Sequence, residues 1–232
     1  GKEISKWVKL SGNEVKFING FRYTDKDTID IAQMVLNKIN KDLVRRLSKL
    51  GVKAIGISGQ DGKMLHVKKK ETADGRDLGF VGQIDHVNSE IIHNILDRDY
   101  VPIICPIGFD DNFLPYNINA DDAAYSVATA LKAAKLAFLT DVEGLYGDFN
   151  DKSTLISEIR VDDARELLLS GDIKGGMIPK LSNCISAIEK GVSRVHILDG
   201  RIPHSLLLEI FTNKGVGTAI IGNNEEKFMK DN

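Results

Sequence analysis

The stretch Tyr116-Asn117-Ile118-Asn119-Ala120-Asp121-Asp122 lies between an apolar run at 101–107, with a polar loop after it, and an alanine-rich segment of helical character. A strand followed by a polar loop and a helix is the repeating unit of an α/β sheet, and such sheets bind ligands outside the carboxyl ends of their strands. Two amides and a carboxylate meet at this point, so the stretch is a candidate ligand site. The alternative is a polar turn in which Asp121 only caps the helix.

Strands and helices alternate along almost the whole chain, which predicts an α/β fold with a largely parallel sheet. The hydrophobic periodicity predicts helices at 27–50, 87–96, 120–134, 161–170, 178–190 and 204–211, and strands at 52–58, 63–70, 101–107, 136–139, 195–198 and 218–221. The best candidate for a domain boundary lies near residue 135, where a second series of strands and helices begins.

The bulk composition narrows the class of protein. The 232 residues suffice for a large core, and 42% hydrophobic with 28% charged residues is ordinary for a soluble globular protein. A formal net charge of −2 gives no electrostatic reason to expect that the protein binds nucleic acid. No apolar run approaches membrane-spanning length, and no secretory leader is expected. Cys105 and Cys184 form no CxxC pattern and are expected to be buried, inert thiols in a cytoplasmic protein.

The segment Thr140-Asp141-Val142-Glu143-Gly144-Leu145-Tyr146 directly follows a predicted strand. A loop at this place offers backbone donors and apolar side chains to a planar base or to a phosphate. An ordinary loop with a glycine turn is the alternative.

A second glycine-containing segment, Ile173-Lys174-Gly175-Gly176-Met177-Ile178-Pro179-Lys180, opens a predicted helix. Two glycines let the backbone approach a ligand closely, and a helix N-terminus favours anions. Lys180 would lie on the first turn, directed at the anion. The alternative is a hinge with a surface lysine, and the segment does not have the GxxxxGK[ST] pattern of a Walker loop.

Arg22 lies between Phe21 and Tyr23, just before the first long predicted helix. The planar guanidinium suits a carboxylate ligand held by two hydrogen bonds, and a structural salt bridge is the alternative. The run Lys68-Lys69-Lys70 is interpreted as the solvated end of a strand. The histidines His66, His86 and His93 have no partner pattern, and neither a Ser/His/Asp arrangement nor a metal-ligand spacing is apparent.

Together these segments resemble the acetylglutamate kinases of the amino-acid kinase family, which phosphorylate the side-chain carboxylate of N-acetyl-L-glutamate. The matching segments are 20–25, 56–62, 77–82, 117–121, 139–146 and 175–180. They occur in family order across essentially the whole chain, so the resemblance is specific. It implies a three-layer αβα sandwich around a central, mainly parallel sheet, with an acetylglutamate-binding lobe at 1–134 and an ATP-binding lobe at 135–232.

The resemblance also implies residue roles. The substrate-binding residues would be Gly1, Arg22, Asn117 and Asn119, with Arg22 on the free α-carboxylate. The catalytic residues would be Lys180, which stabilises charge on the transferring phosphoryl group, and Asp121, which holds the catalytic lysines. The nucleotide-binding residues would be Thr140, Asp141, Val142, Gly144, Leu145, Tyr146, Asp172, Ile173, Lys174, Gly175 and Met177. An arginine-effector region in the C-terminal lobe would contain His196, Glu209 and Gly215.

Cofactors and assembly follow from the same resemblance. ATP would be the co-substrate with Mg²⁺, held by nucleotide phosphates and water because no dedicated protein metal site is apparent. Arginine, the end product of the pathway, would be an inhibitor. The protein would be a homodimer, or a hexamer built as a trimer of dimers if an N-terminal helix exists.

The resemblance is incomplete at the front of the chain. Family members begin with a strand carrying a Lys-x-Gly-Gly phosphate loop and a second strand ending in three glycines. Gly1 aligns with the last of these glycines, so the first catalytic lysine is expected to precede the sequence given, and a protein truly starting at Gly1 would have weak or no activity.

Two other kinds of function stay open. Glutamate 5-kinase, aspartokinase, carbamate kinase and acetylaminoadipate kinase are competitors within the fold class, although the Arg22 and Asn117 motifs favour acetylglutamate. The second alternative is a non-catalytic fragment that binds ligand or effector without turnover.

Overall fold

The computed structural model describes residues 1–148, 151–173, 175–212 and 215–225. The helices in this part of the chain are α1 (Lys2–Leu10), α2 (Lys26–Lys49), α3 (Glu90–Leu96), α4 (Ala120–Ala130), α5 (Val161–Leu169), α6 (Met177–Glu189) and α7 (Ser205–Phe211). The strands are β1 (Phe17–Ile18), β2 (Phe21–Arg22), β3 (Ala54–Ser58), β4 (Leu65–Glu71), β5 (Asp77–Val87), β6 (Val101–Cys105), β7 (Ile107–Phe109), β8 (Pro115–Ile118), β9 (Lys135–Thr140), β10 (Leu145–Tyr146), β11 (Leu155–Ile156), β12 (Glu158–Arg160), β13 (Arg194–Asp199) and β14 (Thr218–Ile221).

The predicted α/β class is confirmed. Helices follow strands along the chain, and parallel pairs join β3 to β6, β9 to β13 and β12 to β14. The chain divides into two compact units, Gly1–Ser126 (unit 1) and Val127–Asn232 (unit 2).

Unit 1 contains the parallel pair β3–β6 and a small closed barrel of β4, β5, β8 and β7. Asp25 precedes the first residue of helix α2 and caps it, because its carboxylate accepts from the Thr28 amide at 2.8 Å. The buried Asn40 of α2 donates to the carbonyls of Ile57 and Ile103 and thereby fixes the helix against both strands of the pair. Apolar side chains of α1 and α2 pack against one another in a buried hydrophobic cluster of this unit.

Unit 2 is built on a four-stranded sheet in the order β12-β14-β13-β9. Val195, Ile197 and Leu198 of β13 are fully buried, as expected for a strand with neighbours on both edges and a helix on its face. Helix α6 buries Leu181 and Cys184 on the side that packs against this sheet. The sheet ends at Thr140 and Asp199, which lie opposite each other in the register of β9 and β13.

Three predicted elements need correction. The strand expected at 101–107 is two strands with different partners, because Pro106 between them has no amide hydrogen to donate to a ladder. The helix expected at 120–134 ends at Ala130, and Lys132 has a φ of +48° that no α-helix continues through. The helix expected at 87–96 begins only at Glu90, since Val87 ends strand β5.

Strand β5 was not predicted because glycines interrupt its alternation of apolar residues. Gly79 has a φ of +71°, and a Cβ there would lie 2.1 Å from the Thr24 carbonyl oxygen. Glycine is therefore required where the chain after β2 crosses β5. The close approach lets Phe80 donate its amide to that same carbonyl at 2.6 Å.

Cys105 and Cys184 are both buried, as predicted. In the described residues, no helix has the length and apolar character needed to cross a membrane.

Candidate functional site

Unit 2 contains a cavity of about 470 Å³ at the carboxyl end of β9. Its lining residues are Thr140, Asp141, Val142, Gly144, Leu145, Tyr146, Gly147, Asp172, Ile173, Gly176, Met177 and Lys180. The two glycine-containing segments singled out in the sequence therefore meet around one cavity. Of the predicted nucleotide-binding residues, Gly175 does not line the cavity and Lys174 lies outside the described residues.

Gly147 and Gly176 were not predicted as binding residues, yet both line the cavity. Gly176 was visible in the sequence as half of a glycine pair at a helix start. Gly147 follows β10, and its amide donates to the carbonyl of Thr154 at 3.0 Å, a contact that the sequence does not reveal.

Gly144 gives the cavity wall its close packing. A Cβ at this position would lie 2.3 Å from the Thr218 hydroxyl oxygen. That hydroxyl donates to the Ile156 carbonyl and accepts from the Leu145 amide at 2.8 Å, so it cannot move without breaking two hydrogen bonds. The loop therefore reaches its shape only with glycine here.

The resemblance assigns ATP to this cavity, so we expect Gly144→Ala to raise the KM for ATP about tenfold or more, because overpacking of this kind costs about 1–3 kcal/mol and would be relieved by displacing the loop that lines the cavity. Steady-state kinetics with varied ATP provides the measurement, and Gly222→Ala, at a position of the same unit where a Cβ would meet only ordinary contacts, is the matched control for the loss of a glycine. An unchanged KM for ATP together with an unchanged melting temperature would show that the loop accommodates a side chain.

Tyr146 gives the cavity a fixed aromatic wall. Its hydroxyl donates to the Glu143 carboxylate, and Lys152 approaches the other oxygen of that carboxylate at 3.7 Å. Burial, followed by the hydrogen bond to Glu143, raises the pKa of Tyr146 to about 12, so the hydroxyl keeps its proton at neutral pH. An anchored ring of this kind suits stacking or edge contact with a planar ligand.

Lys180 lies on the first turn of α6, and its ammonium is 5.1 Å from the centre of the Phe138 ring. The turn before it is tight, because Gly175 has a φ of +58° and Gly176 precedes the first helical residue. In the described part of the chain, the cavity thus has apolar walls, a helix N-terminus and Lys180, which together favour a ligand with a planar apolar part and an anionic part.

Arg22 lies in unit 1 and is buried. One of its terminal nitrogens, Nη2, donates to the Gly1 carbonyl and to the Ser5 hydroxyl, both at 2.9 Å. The other, Nη1, is buried and has no hydrogen-bond partner among the described residues. Phe17 lies against the guanidinium at 4.9 Å, and burial lowers the pKa of Arg22 from its ordinary value. The alternative interpretation of Arg22 as a salt-bridge residue is wrong within the described residues, because its contacts there are neutral.

Asn117 and Asn119 lie at the junction of β8 and α4. Asn117 is half-buried in β8, where it pairs with Val81 of β5. The side-chain oxygen of Asn119 accepts from the amides of Asp121 at 2.9 Å and Asp122 at 3.2 Å. Asn119 is therefore the cap of α4, and the alternative in which Asp121 caps the helix is wrong.

Strand β5 connects the two parts of this region. The Thr24 segment pairs with β5 at Gly79, and Asn117 pairs with it at Val81. Two nearby positions of β5 thus hold the segment that follows Arg22 and the strand that leads into α4. The predicted substrate-binding residues Gly1, Arg22, Asn117 and Asn119 all belong to unit 1, whereas the cavity belongs to unit 2.

His196 and Glu209 of the predicted effector region form a buried pair, with 2.9 Å between Nδ1 and Oε1. The second oxygen of Glu209 accepts from the amides of Val216 and Gly217 at 2.8 and 3.0 Å. Burial alone would raise the pKa of Glu209, but these hydrogen bonds lower it below its ordinary value, so the carboxylate stays ionised at neutral pH. Gly215, with a φ of +59°, supplies the turn that brings these amides to the carboxylate.

Within the described residues, no group of three or more histidine, cysteine, aspartate or glutamate side chains could hold a metal ion. His66 contacts Asp111 at 3.0 Å on the surface of the barrel.

Comparison with known proteins places the chain in a family. The model of the amino acid kinase family matches residues 1–199. An acetylglutamate kinase from Campylobacter jejuni subsp. jejuni serotype O:2 is 55% identical over 220 residues, covering 95% of this chain and 77% of that protein.

The solved structures show a related protein in two complexes. The N-acetylglutamate synthase from Neisseria gonorrhoeae, complexed with coenzyme A and N-acetyl-glutamate, matches with a TM-score of 0.82 and 26% identity, over 97% of this chain and 50% of that one. The same synthase complexed with coenzyme A and L-arginine matches with a TM-score of 0.74 and 25% identity, over 94% of this chain and 51% of that one. The sequence match decides the family: the chain belongs to the amino-acid kinases and, among them, to the acetylglutamate kinases.

Proposed function

We propose that this protein transfers the γ-phosphoryl group of ATP to the side-chain carboxylate of N-acetyl-L-glutamate, a step of arginine biosynthesis. The observation that carries the proposal is the cavity of unit 2, which gathers two separate glycine-containing segments and Lys180 around one space. Its volume of about 470 Å³ is that of a small-molecule site. The 55% identity to a C. jejuni acetylglutamate kinase supports the choice of acceptor.

The nucleotide would bind with its base against the loop that contains Val142, Leu145 and Tyr146, and with its phosphates towards the start of α6. Phosphoryl transfer leaves little covalent chemistry to the protein, so positioning and charge stabilisation dominate. Lys180 and the amides of the first turn of α6 are the groups that would meet the charge developing on the transferring phosphoryl group.

The acceptor would bind in unit 1, with its free α-carboxylate on Arg22. Nη2 of this guanidinium is already engaged by Gly1 and Ser5, and that engagement leaves Nη1 to donate to a ligand. A cavity of about 530 Å³ adjoins Arg22 and is lined by Lys2, Lys6 and Lys9 of α1 among others, so its charge suits a dicarboxylate. Asn117 and Asn119 would bind near the same acid, and Asp121 would orient the catalytic lysines.

Mg²⁺ would accompany ATP and neutralise charge on its phosphates. The described residues offer no cluster of protein ligands for it, which is compatible with an ion held by phosphate oxygens and water.

The test is a kinase assay of the full-length protein with ATP and each candidate acid: N-acetyl-L-glutamate, L-glutamate, N-acetyl-aminoadipate, L-aspartate and carbamate. The product of the proposed reaction is an acyl phosphate, which hydroxylamine traps as a hydroxamate. Turnover with acetylglutamate alone supports the proposal, and preference for another acid reassigns the substrate. Binding of acetylglutamate and ATP without turnover would indicate the non-catalytic alternative.

We further propose that arginine inhibits the enzyme through the region of His196, Glu209 and Gly215. The related synthase has been solved with L-arginine bound, which supports an arginine site in this fold. Glu209 is an ionised carboxylate beside an imidazole whose Nε2 has no partner among the described residues. Both carboxylate oxygens already accept hydrogen bonds within the buried pair, so a guanidinium that binds here would compete with the existing contacts and favour a different local arrangement.

Glu209→Gln is expected to weaken arginine inhibition about tenfold or more, because glutamine keeps the shape and one acceptor but loses the charge that pairs with a guanidinium. The measurement is the arginine concentration for half-inhibition, with each rate normalised to the uninhibited rate of the same variant. Glu166→Gln, an exposed substitution on α5, is the control. Equal sensitivity of the Glu209→Gln and Glu166→Gln enzymes would remove Glu209 from the effector site.

A homodimer, or a hexamer if an N-terminal helix exists, is also proposed from the family resemblance, and sedimentation velocity of the full-length protein tests it. The cytoplasmic location stays a prediction from the cysteine pattern.

A further inference from the structure

Three consecutive lysines at the end of β4 have different surroundings. Lys68 pairs with Asp85 at 2.5 Å and Lys69 with Asp77 at 2.9 Å, and their side chains are 71% and 46% exposed. Lys70 is only 19% exposed. The interpretation of the run as a solvated strand end therefore holds for the first two lysines and is wrong for Lys70.

Lys70 contacts two distant parts of the chain. Its ammonium lies 3.1 Å from the Asp122 carboxylate and 4.2 Å from the centre of the Phe21 ring. Phe21 directly precedes Arg22, and Asp122 directly follows Asp121. One cation thus touches the chain neighbours of Arg22, proposed to bind the acceptor, and of Asp121, proposed to orient the catalytic lysines.

Lower exposure to water favours the contacts of Lys70 over those of the two exposed lysines. An exposed ion pair contributes about 0–1 kcal/mol because water screens it, whereas a cation held over an aromatic ring gains more when it is partly shielded from water. Asp122 is itself only 28% exposed, and its amide donates to the Asn119 side chain at 3.2 Å. Fixing Asp122 therefore also fixes the first turn of α4.

We propose that Lys70 is a positioning residue that holds the Phe21–Arg22 segment and the first turn of α4 in the arrangement that binds the acceptor acid. This inference rests on the proposed function, since it takes Arg22 and Asp121 as groups of the kinase site. Lys70 itself acts through Phe21 and Asp122.

The chain supplies its own matched set of variants: Lys70→Met, Lys69→Met and Lys68→Met each remove one charge from the same strand. Lys70→Met is expected to raise the KM for acetylglutamate about tenfold, equivalent to about 1.4 kcal/mol of binding, with little change in the KM for ATP. The two control variants are expected to stay within about twofold of wild type, as for exposed ion pairs. Lys70→Arg, which keeps the charge and the stacking, should restore most of the affinity.

Calorimetric titration of acetylglutamate onto the same variants gives a readout independent of turnover. Asp122→Asn is expected to reproduce the loss, and the double variant with Lys70→Met should bind no more weakly than either single variant, because both changes break one contact. Additive losses in the double variant would overturn the proposal, as would a Lys70→Met enzyme that matches the two controls.

An equal rise in both KM values, without rescue by arginine at position 70, would also overturn the proposal by showing a general structural role. A wild-type enzyme that does not phosphorylate acetylglutamate overturns the proposed function. An active wild type with an unaffected Lys70→Met variant overturns only the role of Lys70.

Discussion

Lys180→Met is expected to lower kcat about a hundredfold, the size of effect that follows the loss of one preorganised charge-stabilising donor. Affinity for acetylglutamate should largely survive, because Lys180 meets charge that develops only in the transition state. Methionine keeps the unbranched apolar stem that lies near Phe138, so the change removes the charge with little loss of packing. Single-turnover kinetics at saturating ATP and acetylglutamate gives the rate of the chemical step.

Lys190→Met is the control for this experiment, since Lys190 is an exposed residue at the opposite end of the same helix. A kcat for Lys180→Met within about threefold of wild type, well under 1.4 kcal/mol of barrier, would show that Lys180 does not meet the transferring phosphoryl group.

Arg22→Lys is expected to raise the KM for acetylglutamate about thirtyfold, equivalent to about 2 kcal/mol. The guanidinium uses Nη2 on Gly1 and Ser5 and keeps Nη1 for a ligand, whereas one ammonium on a different stem cannot reproduce both sets of contacts. The KM for ATP should change little. Kinetics with each substrate varied in turn makes the comparison.

Arg45→Lys is the matched control, because Arg45 is exposed and pairs only with Asp42 among the described residues. Equal losses for acetylglutamate and ATP in the Arg22→Lys enzyme would indicate that unit 1 has lost its structure. In that case the specific role of Arg22 would be contradicted.

The residues around the cavity of unit 2 could be predicted from sequence because they come from two short, continuous segments that flank regular elements. Each segment combines glycine with a strand end or a helix start, and these are features of local backbone geometry. Lys180 follows from the same logic, since a residue on the first turn of a helix has a defined position relative to its N-terminus.

The surroundings of the proposed acceptor residues could be predicted only in part. Arg22 and the Asn117–Asp121 stretch are singled out by the sequence, but the contacts that fix them come from residues far along the chain. Ser5 precedes Arg22 by 17 positions and Lys70 precedes Asp122 by 52. The strand that joins the region, β5, was missed because glycine at positions 79 and 82 hides its alternating pattern, and those glycines are there for close packing.

The proposed effector region shows a different limit of prediction from sequence. Glu209 is predicted as a partner for a cationic ligand, and its carboxylate already accepts hydrogen bonds from His196 and two backbone amides. Sequence gives the residue type but not the number of internal donors that already surround it.

The reactivity of the two buried cysteines reports local opening of the structure around each of them. Cys105 lies in unit 1, where burial raises the pKa of its thiol to about 11, and Cys184 lies in unit 2 with no exposed surface. A thiol reagent reacts with an accessible thiolate, so each cysteine is labelled only when its own surroundings open. A ligand slows the opening of the structure to which it binds. If the proposed sites are right, mass spectrometry of the labelled peptides would then report ATP binding at Cys184 and acetylglutamate binding at Cys105, without any engineered probe.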